Sequence, residues 1–482
     1  MRYKAKNVST FVPLYATNLF LMKKKLVLFI TGCFVFLLSS CLGSNEIDYE
    51  LSKDCQILTF SLSSDSVPEL KNVVFTIDQI NGLIFNADSM PYGTELKDKV
   101  ICTVNLATTV WGCQVIQEAI GDTISWNLQD SLDFSKPVQF INTLWDGETT
   151  KKYTAQLNIH QVVPDSMVWT VYSENIAGEA IKEEKTIVFG EEGSAFYYMY
   201  MQPVNASKGY LLYRSAVSDG RNWEPLSLTG LPADNLRLSQ IDEYEGNLYV
   251  ITTDGLLYRS ANGTDWTLVE GAPSIKTLLG SIKVSDDFTG SGKQQSAMAA
   301  IVDQNGVATF ARMDKSMEWK SGNTVSAGFP MSGFGNVSYN SMFRAYLMVV
   351  AGRTENNSLT NTVWGTSDGL VWANFTDEET ETFSVREGVS VIQYDNRMFM
   401  VGGIDAAGKA SSEIYMSQDY GVTWNLSDTL TVMPPEFKAR GYASIYVDKD
   451  NYMYLFGGKE TTSSNVLDQI WRGRINRLGF KD

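Results

Sequence analysis

The 482-residue chain has one histidine, His160, and five cysteines. A lone imidazole cannot build a His-based zinc site, and no residue spacing marks it as part of a nucleophilic triad. It reads as a structural hydrogen-bonding residue at the end of a strand. Cys33 and Cys41 lie in or beside an apolar N-terminal stretch, which leaves Cys55, Cys102 and Cys113. Three is odd, so at most one pair forms. Cys102 and Cys113 flank a hairpin read over 101–106 and 110–116, where a disulfide and two buried thiols both fit. The 55 carboxylates could include a glycosidase pair about 5–10 Å apart, but no spacing marks one. Arg237, Arg386 and Arg440 stand at matching places before the strands of an internal repeat. Guanidinium forks there would either bind an acidic ligand, such as a uronic or sialic acid, or pair with acids of neighbouring repeats. No phosphate-binding glycine loop is present, and no cofactor or metal is expected. A net charge of −16 and a pI near 4.7 exclude nucleic acid as a partner.

These residues need an address and a scaffold. Met22-Lys23-Lys24-Lys25 is a basic flank, 26–38 is an apolar run too short to span a bilayer, and Leu38-Ser39-Ser40-Cys41 follows. The last four residues resemble a bacterial lipobox. The resemblance implies cleavage before Cys41, lipid attachment to that residue, and a place on the outer membrane or cell surface. Residues 1–40 are then an upstream extension plus signal peptide, with Met22 as the natural start, and 41–50 is a tether. Removing 1–40 takes six basic residues and no acid, leaving 33 basic against 55 acidic residues and a net charge of −22. Such a body has no polybasic attraction to a membrane, so the lipid alone is expected to hold it there.

Residues 51–162 carry short β-rich runs at 56–61, 73–77, 83–86, 100–106, 123–127, 138–141 and 153–160, separated by turn signals such as Asn81-Gly82 and Asp146-Gly147. Seven short strands in this length predict an immunoglobulin-like sandwich. Asp133-Phe134-Ser135-Lys136-Pro137-Val138, followed by Asp146-Gly147 and Lys151-Lys152-Tyr153, resembles the last hairpin of Ig-like modules in Bacteroidetes surface lipoproteins. The resemblance implies a binding module or a spacer. Residues 163–185 read as a linker.

Residues 186–482 repeat. Trp223, Trp266, Trp319, Trp372 and Trp424 recur at intervals of 43 to 53 residues, and an apolar run precedes each. Six such units predict a six-bladed β-propeller, so the fold class is all-β throughout. Ser417-Gln418-Asp419-Tyr420-Gly421-Val422-Thr423-Trp424 resembles the Asp-box, and Gly402-Gly403 and Gly457-Gly458 resemble kelch repeats. The Asp-box residues Ser417, Asp419, Gly421, Thr423 and Trp424 are expected to be structural. Phe480 stands in the tryptophan place of the last unit, and Trp169 lies in register before the first. Closure by the C-terminal piece is expected, with Trp169 packed against the ring.

Asp-box propellers include sialidases, but their Arg-Ile-Pro signature does not occur here. Kelch propellers include copper oxidases, but this propeller lacks the histidines and cysteine they require. The chain resembles uncharacterised two-domain Bacteroidetes surface lipoproteins. That resemblance implies a non-catalytic module that binds glycan or envelope protein, possessing a membrane link only through its lipid and associated with polysaccharide uptake. The alternative is a glycoside hydrolase-like enzyme, sialidase-type or other, with an unmarked carboxylate pair.

Overall fold

The structure is a computed structural model. It describes residues 54–480 apart from 97, 120, 129–130, 192, 284–295, 342–343 and 377–382. The expected signal, the lipidation site Cys41 and the whole 41–50 tether lie outside the described residues. Two compact units form, one from 54–90 and 94–159, the other from 91–93 and 160–480. No helix among the described residues is long and apolar enough to cross a membrane.

The first unit contains β1 (Ile57–Ser63), β2 (Phe75–Asp78), β3 (Leu83–Asn86), β4 (Val100–Leu106), β5 (Gly112–Gln117), β6 (Asp122–Trp126), β7 (Ser131–Leu132), β8 (Val138–Thr143) and β9 (Thr150–Gln156). They form a three-stranded sheet, β1-β4-β7, and a six-stranded sheet, β2-β3-β9-β8-β5-β6. Pairing is antiparallel except between β3 and β9. Alternation sets the faces. Val100, Cys102 and Val104 of β4 point inward, as do Val138 and Phe140 of β8. Trp126 and Phe140 meet edge to face at 5.3 Å within this core. Burying each large apolar side chain contributes about 1.5–3 kcal/mol.

The expected hairpin joining Cys102 to Cys113 does not form. Cys102 lies in β4 of one sheet and Cys113 in β5 of the other, and Cys55, Cys102 and Cys113 are all buried free thiols. Burial pushes the Cys113 thiol up to about 12, so it stays protonated and unreactive.

The second unit is a β-propeller. Among its described residues, six sheets of four or five antiparallel strands follow one another, in chain order but for the outer strand of the last, and a two-stranded pair, Arg386–Glu387 with Ile404–Asp405, accompanies the fifth. Their innermost strands are Ile181–Phe189, Asp242–Tyr244, Ile275–Ile282, Gly335–Ser341, Ser390–Tyr394 and Ser444–Val447. The second strand of each sheet is buried on both faces by the neighbouring sheets, and its sequence is an apolar run rather than an alternation: Ala297 to Val302 and Met398 to Val401 are buried throughout. Each apolar cluster is filled by two successive sheets. Tyr197, Met199 and Met201 of the first pack on Tyr454, Phe456 and Ile470 of the last, which closes the ring.

Closure differs from the expectation. β10 (Met167–Glu174) pairs antiparallel with Gln469–Ile475 and forms the outer strand of the last sheet, with Trp169 opposite Gly473. Gly473 has to be small there, because a Cβ would lie 2.3 Å from the Trp169 ring. The C-terminal piece instead turns into a short 3-10 helix, Asn476–Gly479, leaving Phe480 exposed and stacked on His160 at 5.6 Å. Asn476 N and Arg477 N donate to Ser166 O and Pro164 O, which fixes β10 against the end of the chain. Residues 167–174 and 181–185 are therefore propeller strand, not linker.

Candidate functional site

The inner strands of all six sheets surround one cavity of about 500 Å³. Side chains stitch most neighbouring sheets together around it. Leu278 N donates to Gln240 Oε1 at 3.1 Å, Asn336 Nδ2 to Leu279 O at 2.8 Å, and Thr186 N to Ser444 Oγ at 2.9 Å. Ser390 Oγ donates to Ala443 O at 2.6 Å. Between the first and second sheets, Lys185 and Asp242 attract each other.

The lining is asymmetric. The first three sheets bring Glu183, Glu184, Lys185, Asp242, Glu243 and Lys283, whereas the fourth and fifth bring neutral groups such as Asn336, Val337, Ser390 and Val391. Lys283 Nζ is bonded to Glu243 Oε2. Burial lowers the Lys283 pKa, but the Asp242 and Glu243 carboxylates outweigh that effect and raise it. Burial lowers the Lys185 pKa against the pull of Asp242 and Glu184. Burial raises the Asp242 pKa against both lysines, and its Oδ2 is buried without a hydrogen-bond partner among the described residues. Burial likewise pushes Glu184 up to about 7, although Thr186 Oγ1 donates to it. Tyr442, just before the inner strand of the last sheet, lines the cavity and donates to Glu387 Oε2 of the neighbouring sheet at 2.6 Å, while Arg353 clamps the same carboxylate with two bonds.

Such a wall offers hydroxyl, amide, ammonium and carboxylate groups in near balance, which suits a polyhydroxylated or zwitterionic ligand better than a multiply charged anion. No group of three His, Cys, Asp or Glu side chains among the described residues is placed to hold a metal ion.

The arginines expected to bind a ligand do not line this cavity. Arg386 and Arg440 are buried, and each repeats the same pattern. Nε donates to the carbonyl two residues back (Ser384, Lys438), and Nη1 donates to the first glycine of the pair (Gly402 at 3.2 Å, Gly457 at 2.8 Å). Nη2 reaches Glu413 in one and Gln469 in the other. They tie each inner strand to its own glycine turn. Arg237 is half-buried in the second sheet, beside the Leu238–Gln240 turn.

The Ser417–Trp424 turn is self-contained. Asp419 accepts from Thr423 N at 2.9 Å, Thr423 Oγ1 at 2.7 Å and Ser417 Oγ at 2.8 Å. Gly421 N donates to Ser417 Oγ, and Trp424 Nε1 donates to Gly421 O at 3.0 Å. Burial raises the Asp419 pKa, but these hydrogen bonds outweigh it and hold the carboxyl below its usual range.

Residues 163–482 match the model of the DUF6242 beta propeller domain, and 49–157 match the DUF6242 N-terminal domain, a domain of unknown function. The chain belongs to the DUF6242 family. The DUF6242 propeller match begins four residues before β10, so the closing strand lies inside that domain. No curated protein matches the chain. Among solved structures, one titled "Structure of YjhT" is similar at 12% identity, covering 60% of this chain and 94% of that one with a TM-score of 0.42.

Lys185, Asp242, Glu243, Lys283 and Tyr442 carry no motif in the sequence. Their signal is weak: polar side chains within or beside the innermost strands of different repeats, brought together only when the sheets assemble around the cavity.

Proposed function

We propose that this DUF6242 chain is a lipid-anchored protein of the outer membrane or cell surface, and that its propeller binds glycan or envelope protein in the central cavity without catalysing a reaction. The cavity itself carries the reading. It is of ligand-binding size, polar groups converge on it from several sheets, and Asp242 Oδ2 has no hydrogen-bond partner among the described residues. The N-terminal domain serves as an Ig-like spacer, and the propeller is of the kelch/Asp-box kind. Support for the latter comes from the Ser417–Trp424 hydrogen bonds and the matching Arg386–Gly402 and Arg440–Gly457 contacts. Arg386 and Arg440 hold the repeat together in this reading rather than meeting ligand.

A glycan array and an envelope-protein capture with the non-lipidated chain from residue 42 onward test it. Specific binding that falls at least tenfold in a Lys185→Ala, Asp242→Asn double variant supports the cavity. Binding unchanged by that variant overturns the cavity as the site. Release of new reducing ends from a bound glycan points instead to the hydrolase reading, for which the raised pKa values of Asp242 and Glu184 are the supporting observation.

A further inference from the structure

Nine of the eleven tryptophans are buried or half-buried, while Trp111 is 67% and Trp145 57% exposed. Both stand at one end of the first unit. Trp111 precedes β5 and its N–H donates to Thr143 O at 2.9 Å, while Trp145 follows β8 on the turn closed by Leu144 N and Thr149 O. A third tip lies at the same end. Ile80, 94% exposed, sits on the β2–β3 turn next to Gln79, whose carbonyl accepts from Lys151 Nζ at 2.9 Å. Gln79 is also bonded to Ile57 O and to Tyr153 OH.

The chain enters the unit at this end. Cys55 O accepts from Asn142 Nδ2 at 3.0 Å, and Ala107 N donates to Gln56 O at 2.9 Å. β9 then runs to the opposite end, where Val74 and Ile101 are exposed but no tryptophan is. Single exposed apolar residues are ordinary. Three on adjacent loop tips, two of them indoles, are the chemistry of a membrane–water interface, where an aromatic body is buried and its N–H stays wet.

We propose that Ile80, Trp111 and Trp145 form a docking face that rests in the headgroup layer of the membrane holding the lipidated N-terminus. This rests on the lipid-anchor reading above. Between Cys41 and Asp54 lie only the 12 residues 42–53. That length reaches roughly 40 Å fully extended and about 20 Å as a coil, so the lipid keeps this end, rather than the other, within contact of the bilayer. Asp78 and Asp146 at this end are spent capping their own turns. With a mature net charge of −22, the favoured surface is zwitterionic, not anionic.

The test uses the whole mature chain from residue 42 with an N-terminal hexahistidine, captured on phosphatidylcholine vesicles carrying nickel-chelating lipid and brominated acyl chains. The expected result is bromine quenching of tryptophan fluorescence that falls at least threefold in Trp111→Ser/Trp145→Ser, with the thermal melt unchanged. Absence of quenching in the wild type, or quenching equal in the variant, overturns the docking face. So does an indole signal that responds to soluble oligosaccharide and not to lipid. Radiolabelled palmitate incorporation in cells, compared with Cys41→Ala, separately tests the anchor. Labelling without quenching leaves the anchor and removes the face; quenching without labelling does the reverse.

Discussion

Glu184 is the most consequential single residue that is not on the surface. One of its carboxylate oxygens is buried without a hydrogen-bond partner among the described residues, and a Cβ on Gly457 would lie 2.2 Å from it. Lys185 and Asp468 are the charges acting on it, and burial dominates, holding its pKa near 7 against an ordinary 4.5. The folded chain keeps a proton that the unfolded chain releases between those two values. Stability from this group is therefore full below the lower value and is lost as pH rises through the window, by on the order of 3 kcal/mol. Glu184→Gln should match the wild type in urea melts at pH 4.5 and exceed it by up to that amount at pH 8. Asp419→Ala removes the acceptor of three local hydrogen bonds and should cost about 1–2 kcal/mol in the same melts, leaving glycan or protein binding unchanged. That turn was legible in the sequence because its partners lie within seven residues of one another. Lys185 and Asp242 were not legible, because they stand 57 residues apart and meet only when two neighbouring sheets pack.

At the scale of elements, the molecule depends on β10. Its Trp169 is buried between Gly473 and the apolar cluster of the last two sheets. Trp169→Ala should cost about 3–5 kcal/mol. Gly473→Val, which puts side-chain atoms where the indole ring lies, should be at least as damaging, and limited proteolysis should then cut first near 160–180. The repeat and its apolar second strands were legible because their periodicity survives in one dimension. The closing strand was not, because Trp169 and Phe480 both stand at the tryptophan period. The choice falls to backbone pairing: β10 matches Gln469–Ile475 over its whole length, while the tail finds acceptors at Pro164 and Ser166. In the N-terminal unit, seven runs were visible. Which strands share a sheet was hidden, because a short loop after β4 crosses between sheets instead of folding back as a hairpin.

As a whole, the molecule has no disulfide among its described residues. Its melting temperature should therefore be the same with and without reductant, unlike that of a small stapled secreted domain. Ring closure has a further consequence, for how the chain is made. β10 leaves the ribosome roughly 300 residues before its partner, Gln469–Ile475, exists. Until then its unpaired backbone edge and exposed Val168 and Val171 are a target for the wrong strand, in the same chain or another. A nonsense codon in the final repeat ahead of Gln469 thus leaves every earlier sheet intact in sequence yet the circle open.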